Sequence, residues 1–153
     1  MLTVARVNLE RAGLRNCSIR QGDMYQLPLP GASFDTVVVH QVLHYADRPA
    51  AVIQEAGRVL RPGGSLLIVD FAPHALEFLR IDHAHRRLGF TDDEILDWCR
   101  AAGLEPARAR HLPGSPLTVA IWQARRAASR PLGLAATEVA QQRAVLVNPT
   151  GLV

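Results

Sequence analysis

Val52, Ala56, Val59 and Leu60 recur at helical spacing, and an almost unbroken apolar run follows from Ser65 to Phe71. The first pattern predicts a helix with one apolar stripe and the second a buried strand. Between them Pro62 cannot continue a helix, and Gly63 and Gly64 tolerate the positive φ angles of a reversal. A strand apolar throughout suits a parallel sheet covered on both faces. Just upstream, Ser33 to His40 opens polar and turns β-branched, which predicts the preceding strand. The connection from His40 to Leu60 is long enough for a right-handed helical crossover, so the two strands are expected side by side and parallel.

The remaining pattern extends this α/β reading. Thr91-Asp92-Asp93-Glu94 is a capping box ahead of an apolar face of Ile95, Leu96, Trp98 and Cys99, and Gly103 ends that helix. Glu105 to Leu112 and Leu117 to Ala124 are candidate strands around Pro113-Gly114-Ser115-Pro116. At the other end, Met1 to Arg6 opens a helix that Gly13 closes, and Arg15 to Gly22 reads as a strand. The character changes at Ala127. Ala135 to Val147 has the pattern of a short helix, bracketed by Arg130-Pro131 and Asn148-Pro149-Thr150-Gly151. The division expected is a domain over 1–126 and a C-terminal appendage over 127–153.

Composition narrows the function classes. The chain has 153 residues, a formal charge of +3 and 48% apolar content, enough for one core. Its 17 basic residues are all arginine and are scattered, with Arg86-Arg87 and Arg125-Arg126 the only doublets. Nucleic-acid binding needs a clustered basic face, so it is not expected here. Cys17 and Cys99 lie far apart and have neither disulfide-framework nor zinc spacing. Arg6, Glu10, Arg11 and Arg15 rule the first residues out as a signal peptide, and no apolar stretch reaches the ~18 residues of a membrane span. A cytoplasmic location is expected.

The middle of the chain resembles the class I methyltransferases that use S-adenosylmethionine, nearest their broad small-molecule type 11 set. The resemblance is carried by Gly22-Asp23, Leu27-Pro28, Phe34-Asp35, Leu43-His44, Glu55, Arg58-Val59-Leu60 and Pro62-Gly63-Gly64. It continues more weakly through Leu88-Gly89-Phe90-Thr91 and Ala102-Gly103-Leu104 to about Arg126. His83 to Trp98 is also similar to methyltransferase domains fused behind winged-helix regulators of the ArsR type. The resemblance implies a Rossmann-like sheet with a C-terminal antiparallel hairpin. It also implies that the family's first two strands are missing, because no G-x-G occurs and no strand precedes residue 16. In the family the first strand lies beside the fourth. A truncated chain is therefore expected to have unpaired edges, unless its third strand pairs directly with the fourth.

The resemblance also suggests site residues. Asp23 ends the presumed third strand, at the edge where open α/β sheets bind ligands. It is either the acceptor for the adenine amine, with Met24 against the ring, or a turn carboxylate capping the next segment. His40 and Gln41 end the fourth strand and either line the methionine portion of the cofactor, as the resemblance implies, or form an ordinary strand-to-helix loop. Asp35 lies at the opposite end of that strand and reads as structural. His44 is either a base for the acceptor or a packing residue. Asp70 either orients a substrate or caps the following segment. His83 and His85, with Asp82, read as a solvated helix entrance or a substrate-side cluster. His40 and His44 lack a third partner for a metal.

The function implied is methyl transfer from S-adenosylmethionine to a small-molecule acceptor, impaired if the chain is a fragment. The alternative is a non-catalytic sensing domain with an upstream regulator module. Methyl transfer depends mostly on holding the acceptor in line, so no invariant triad is expected.

Overall fold

In this computed structural model, residues 7–8, 11–13, 16–128 and 143–147 are described. Among these residues six strands form one sheet: β1 (Phe34–His40), β2 (Leu60–Phe71), β3 (Leu104–Pro106), β4 (Arg110–Leu112), β5 (Val119–Arg126) and β6 (Ala144–Val147). The order is β3-β5-β2-β1-β6, with β4 also on β5. β1 and β2 are adjacent and parallel, Val37 opposite Leu66 and His40 opposite Val69, as the two apolar runs predict. β5 is antiparallel to β2 and takes both β3 and β4 antiparallel on its other side, which gives the expected C-terminal antiparallel element.

Among the described residues, α1 (Pro49–Val59), α2 (Phe78–Asp82) and α3 (Asp92–Ala101) accompany the sheet. Pro49 stands in the first turn of α1, where its missing N–H costs nothing. Thr91 caps α3 through a complete capping box with Glu94, as the sequence predicts. Val52, Ile53, Ala56 and Val59 of α1 and Ile95 and Cys99 of α3 are buried with Val37, Leu66, Ile68 and Trp122 of the sheet. The indole of Trp122 donates to Asp92 Oδ1 at 2.8 Å, so the core's largest side chain also finds a polar partner.

The structure corrects four expectations. Residues 16–20 carry no strand, so the third strand expected over Arg15–Gly22 is not formed. The place beside β1, where the resemblance puts the first strand, is taken by β6, which runs parallel to β1 with Val38 opposite Leu146. Ala144–Val147 is therefore a strand where a helix was expected, and it belongs to the sheet although it falls in the segment set apart as an appendage. The physical reason is pairing: the free edge of β1 offers unpaired backbone groups, and a β-branched segment satisfies them. Finally, β2 alternates buried and half-buried positions, because α1 and α3 cover one face of the sheet. The N-terminal helix is described only at Val7, Asn8 and Arg11, and Gly13 after it has φ 65° as a left-handed cap requires.

Candidate functional site

The carboxyl ends of β1 and β2 bring the chemistry-bearing residues together. β1 ends at exposed His40, and Gln41 then turns the chain with φ 49° while its N–H donates to Val69 O at 2.7 Å. The chain re-enters the protein as a 3-10 turn, Leu43–Tyr45, which buries Leu43 and His44. β2 delivers Asp70 beneath that turn, fully buried.

Asp70 is bonded on both oxygens. Oδ1 accepts from His44 Nδ1 at 2.7 Å and from Phe71 N at 2.8 Å. Oδ2 accepts from Leu43 N at 3.0 Å and more weakly from His44 N at 3.4 Å. A buried carboxylate with this many donors is satisfied, and it fixes His44 as the Nδ1–H tautomer. Asp70 thus both caps the turn and orients an imidazole. The sequence offered Asp70 as a group that orients a substrate or caps the segment after it, whereas the geometry has it cap the turn before α1 and orient His44.

The segment 72–89 closes over this pair. Arg86 N and Arg87 N both donate to the His44 carbonyl, at 2.8 and 3.2 Å, and Phe90 N returns to Phe71 O at 2.9 Å. Gly89 makes the return at φ 84°, and any Cβ there would collide with the Ala72 carbonyl. This closure stacks His85 on His44, with centroids 4.1 Å apart and planes at 30°. Phe71 and Tyr45 complete an aromatic surround. His85 is therefore buried, which corrects the solvated-entrance reading, while His83 stays exposed.

His85 Nδ1 and His74 Nε2 are buried without a hydrogen-bond partner among the described residues. Each such atom costs about 1–3 kcal/mol. Burial first, and then the neighbouring His44, lower the His85 pKa from 6.5 to about 4. His74 is lowered as well, first by burial and then by His44 and Arg80, against Asp70 and Glu77. The stacking of His85 on His44 was not legible in the sequence because its partners lie on β2 and the 3-10 turn. Gly89, the one local sign of a tight return, says nothing about where the ring lands.

Asp23 and Met24 lie on a turn that is joined to the loop ahead of α1. Asp23 Oδ1 accepts from Tyr25 N at 2.9 Å, and Asp23 bridges to Gln26. Tyr25 Oη accepts from Asp47 N at 2.9 Å, so this turn is tied to the loop that enters α1. Asp23 is exposed, and its Oδ2 makes no hydrogen bond or ion pair among the described residues, while Met24 packs half-buried against the core. Asp35 is elsewhere: it pairs with Arg61 at 3.0 Å and accepts from Arg143 N at 2.6 Å, at the start of β1, as its structural reading requires. Among the described residues no group of three His, Cys, Asp or Glu is placed to hold a metal, and no helix is long and apolar enough to cross a membrane.

An α/β sheet with polar groups gathered at the carboxyl edge of its parallel strands is a Rossmann-like architecture. Comparison gives the class. The family profile described as "Methyltransferase domain" matches residues 1–68. A probable S-adenosylmethionine-dependent methyltransferase of Mycolicibacterium smegmatis is 34% identical over 125 residues, covering 71% of this chain and 48% of that protein. The 27-O-demethylrifamycin SV methyltransferase of Amycolatopsis mediterranei is 39% identical over 97 residues, covering 57% of this chain and 35% of that protein. The chain thus spans half or less of these relatives' lengths. The crystal structure of a SAM-dependent methyltransferase from Methanosarcina mazei shares the fold, with TM-score 0.66 at 17% identity over 84% of this chain and 78% of that one. Residues 1–68 thus belong to the methyltransferase-domain family, and the chain is similar over most of its length to S-adenosylmethionine-dependent methyltransferases.

Proposed function

We propose that this chain carries part of the cofactor site and the acceptor side of an enzyme that transfers a methyl group to a small-molecule acceptor. The observation that supports this most is the convergence of His40, Gln41, His44 and Asp70 at one carboxyl edge, in a chain with the methyltransferase signature. The donor set fits the cofactor in kind. Asp23 Oδ2 is a free acceptor for the adenine amine, and half-buried Met24 offers an apolar surface to the ring. Exposed His40 and the left-handed Gln41 turn border the methionine portion. The cofactor supplies a methyl group already activated by a sulfonium charge, and the protein's part is to position, orient and exclude water. A small-molecule acceptor is in keeping with the similarity to the rifamycin-modifying relative.

Calorimetric titration of S-adenosylmethionine into the chain and into its Asp23→Ala variant tests the reading. Asp23→Ala is expected to weaken binding by about 1–3 kcal/mol, roughly 5- to 150-fold. Asp35→Ala, at the other end of β1, is expected to lower stability and leave affinity alone. The reverse result would put the ligand edge on the wrong side of the sheet.

A further inference from the structure

Alternation along the strands gives the sheet two unlike faces. Val37 and Val39 of β1, Leu66 and Ile68 of β2 and Trp122 of β5 lie in register and are no more than 1% exposed. Among the described helices, α1 and α3 pack on the sheet, and they pack on this face. The residues between point the other way. Leu146 of β6 stands opposite Val38 of β1, Val38 opposite Leu67 of β2, and Val69 of β2 opposite Ile121 of β5. Four of these five apolar side chains are half-buried although they screen one another, and Leu146 is 47% exposed. A sheet with one wet face carries polar residues there. This one instead carries apolar, mostly β-branched side chains across four adjacent strands, β6-β1-β2-β5. Thr36, Ser65, Gln123 and Arg125 form a polar border on the same face. An apolar centre within a polar border is the anatomy of an interface.

We infer that a second copy of this chain covers this face, the two sheets stacking about 10 Å apart across a two-fold axis that runs along the strands. Charge and area support that occupant. The centre of the face carries no charge, so identical faces meet without burying like charges. The two-fold lays Leu67 of each copy over Val38 of the other, and sets Arg125 over the uncharged Ala144 margin, which keeps the arginines apart. β2 and β5 pair over seven residues, from Ser65 to Phe71. At about 4.8 Å between strands and about 3.3 Å per residue, the face covers on the order of 400 Å² in plan, as large as apolar patches that mark interaction sites. Two such faces remove about 800 Å² in plan, and the side chains standing on them bring the accessible area toward the ~1,200 Å² at which specific interfaces begin. An interface of that size holds with a Kd of ~1–100 μM. Neither cofactor nor acceptor takes part in this contact.

Sedimentation equilibrium of the full chain from ~1 to ~500 μM tests the contact, with a monomer–dimer equilibrium in that range as the expected result. Leu67→Lys, at the centre of the face, should weaken the dimer about 100-fold or more, because two desolvated ammonium groups would meet across the axis. Gln54→Lys adds the same charge on the exposed side of α1, beyond the other face, and should leave the Kd unchanged. Should Leu67→Lys fail to fold, the wild type decides. Its Val38, Leu67, Val69 and Ile121 methyl signals should be shielded from a soluble gadolinium chelate when concentrated and become accessible on dilution. A chain that stays monomeric throughout, or a dimer that a folded Leu67→Lys leaves intact, would overturn the inference. So would open-ended association beyond the dimer, which marks unspecific aggregation. Methyl shielding that persists in the dilute monomer would overturn it as well, because the face would then be covered by the chain itself.

Discussion

Glu55 and Arg58, one turn apart on α1, form a two-pronged ion pair that also grips the loop carrying the family's Leu27-Pro28. Glu55 Oε2 accepts from Arg58 Nε at 2.8 Å and Oε1 from Arg58 Nη2 at 2.7 Å. The same Oε1 accepts from Leu27 N at 2.7 Å, and Arg58 donates to Leu29 O at 2.9 Å. The carboxylate holds the guanidinium more firmly charged than usual, by hydrogen bond first and with burial opposing. The pair thus anchors the Leu27–Leu29 segment that follows the Asp23–Met24 turn.

Glu55→Ala should lower stability by about 2–4 kcal/mol, since it strands the buried Leu27 N–H along with the guanidinium. Arg58→Lys should cost less, because the exposed lysine keeps the charge and loses only the fork. Urea denaturation of the three proteins checks this. A Glu55→Ala loss under about 0.5 kcal/mol would mean that the loop is held by something else.

Asp70→Asn keeps the shape and removes the charge. All its present partners donate, so an amide NH2 must face a donor wherever it points. The expected loss is about 2–4 kcal/mol, with His44 released from its fixed tautomer. Nitrogen chemical shifts of the His44 ring report the tautomer independently of stability. An unchanged Nδ1–H form in folded Asp70→Asn would show that Asp70 is not what sets it.

Much of this arrangement was legible in the sequence, for a physical reason. β1, β2, α1 and the capped α3 are each specified by local periodicity and by capping, which act over a few residues. The pairing of Asp70 with His44 was not legible, since it joins groups 26 residues apart. The site of His85 depends on how a loop closes, which no periodicity encodes. β6 was misread because Ala144–Val147 is too short for its period to decide, and the free edge of β1, a tertiary feature, made it a strand.

His85 should also make the chain acid-sensitive. Its pKa is about 4 in the fold against 6.5 for an ordinary histidine, so the unfolded chain binds its proton first. Stability is then full above pH ~6.5, falls as pH drops toward ~4, and levels off below. The charged or titratable groups around the ring are His44, His74, His83 and Asp70, and only Asp70 favours its protonation. The full loss attributable to His85 is on the order of 3 kcal/mol. Denaturation midpoints measured across this window in wild type and His85→Phe check it. The two curves should converge on acidification, and parallel curves would assign the acid sensitivity to other groups.

The last prediction concerns the edge strand. β6 buries Val145 and Val147 against the core, at 5% and 2% exposure, and presents Leu146 to the half-exposed face. Its entry is pinned where Arg143 N donates to Asp35 Oδ2 at 2.6 Å and Asp35 N donates to Arg143 O at 2.8 Å. The strand supplies backbone partners that β1 otherwise lacks on that side, so its loss should act on β1 beyond the buried area removed. Val145→Ala should cost about 1–3 kcal/mol from burial alone. Val145→Pro should cost more, because proline fixes φ near −65° and disturbs the ladder. Amide hydrogen exchange separates the two effects: Val145→Pro should accelerate exchange in β1, while Val145→Ala lowers stability with the β1 pattern kept. If Val145→Pro leaves β1 as protected as in the wild type, β6 is a dispensable strand laid against a sheet that is stable without it.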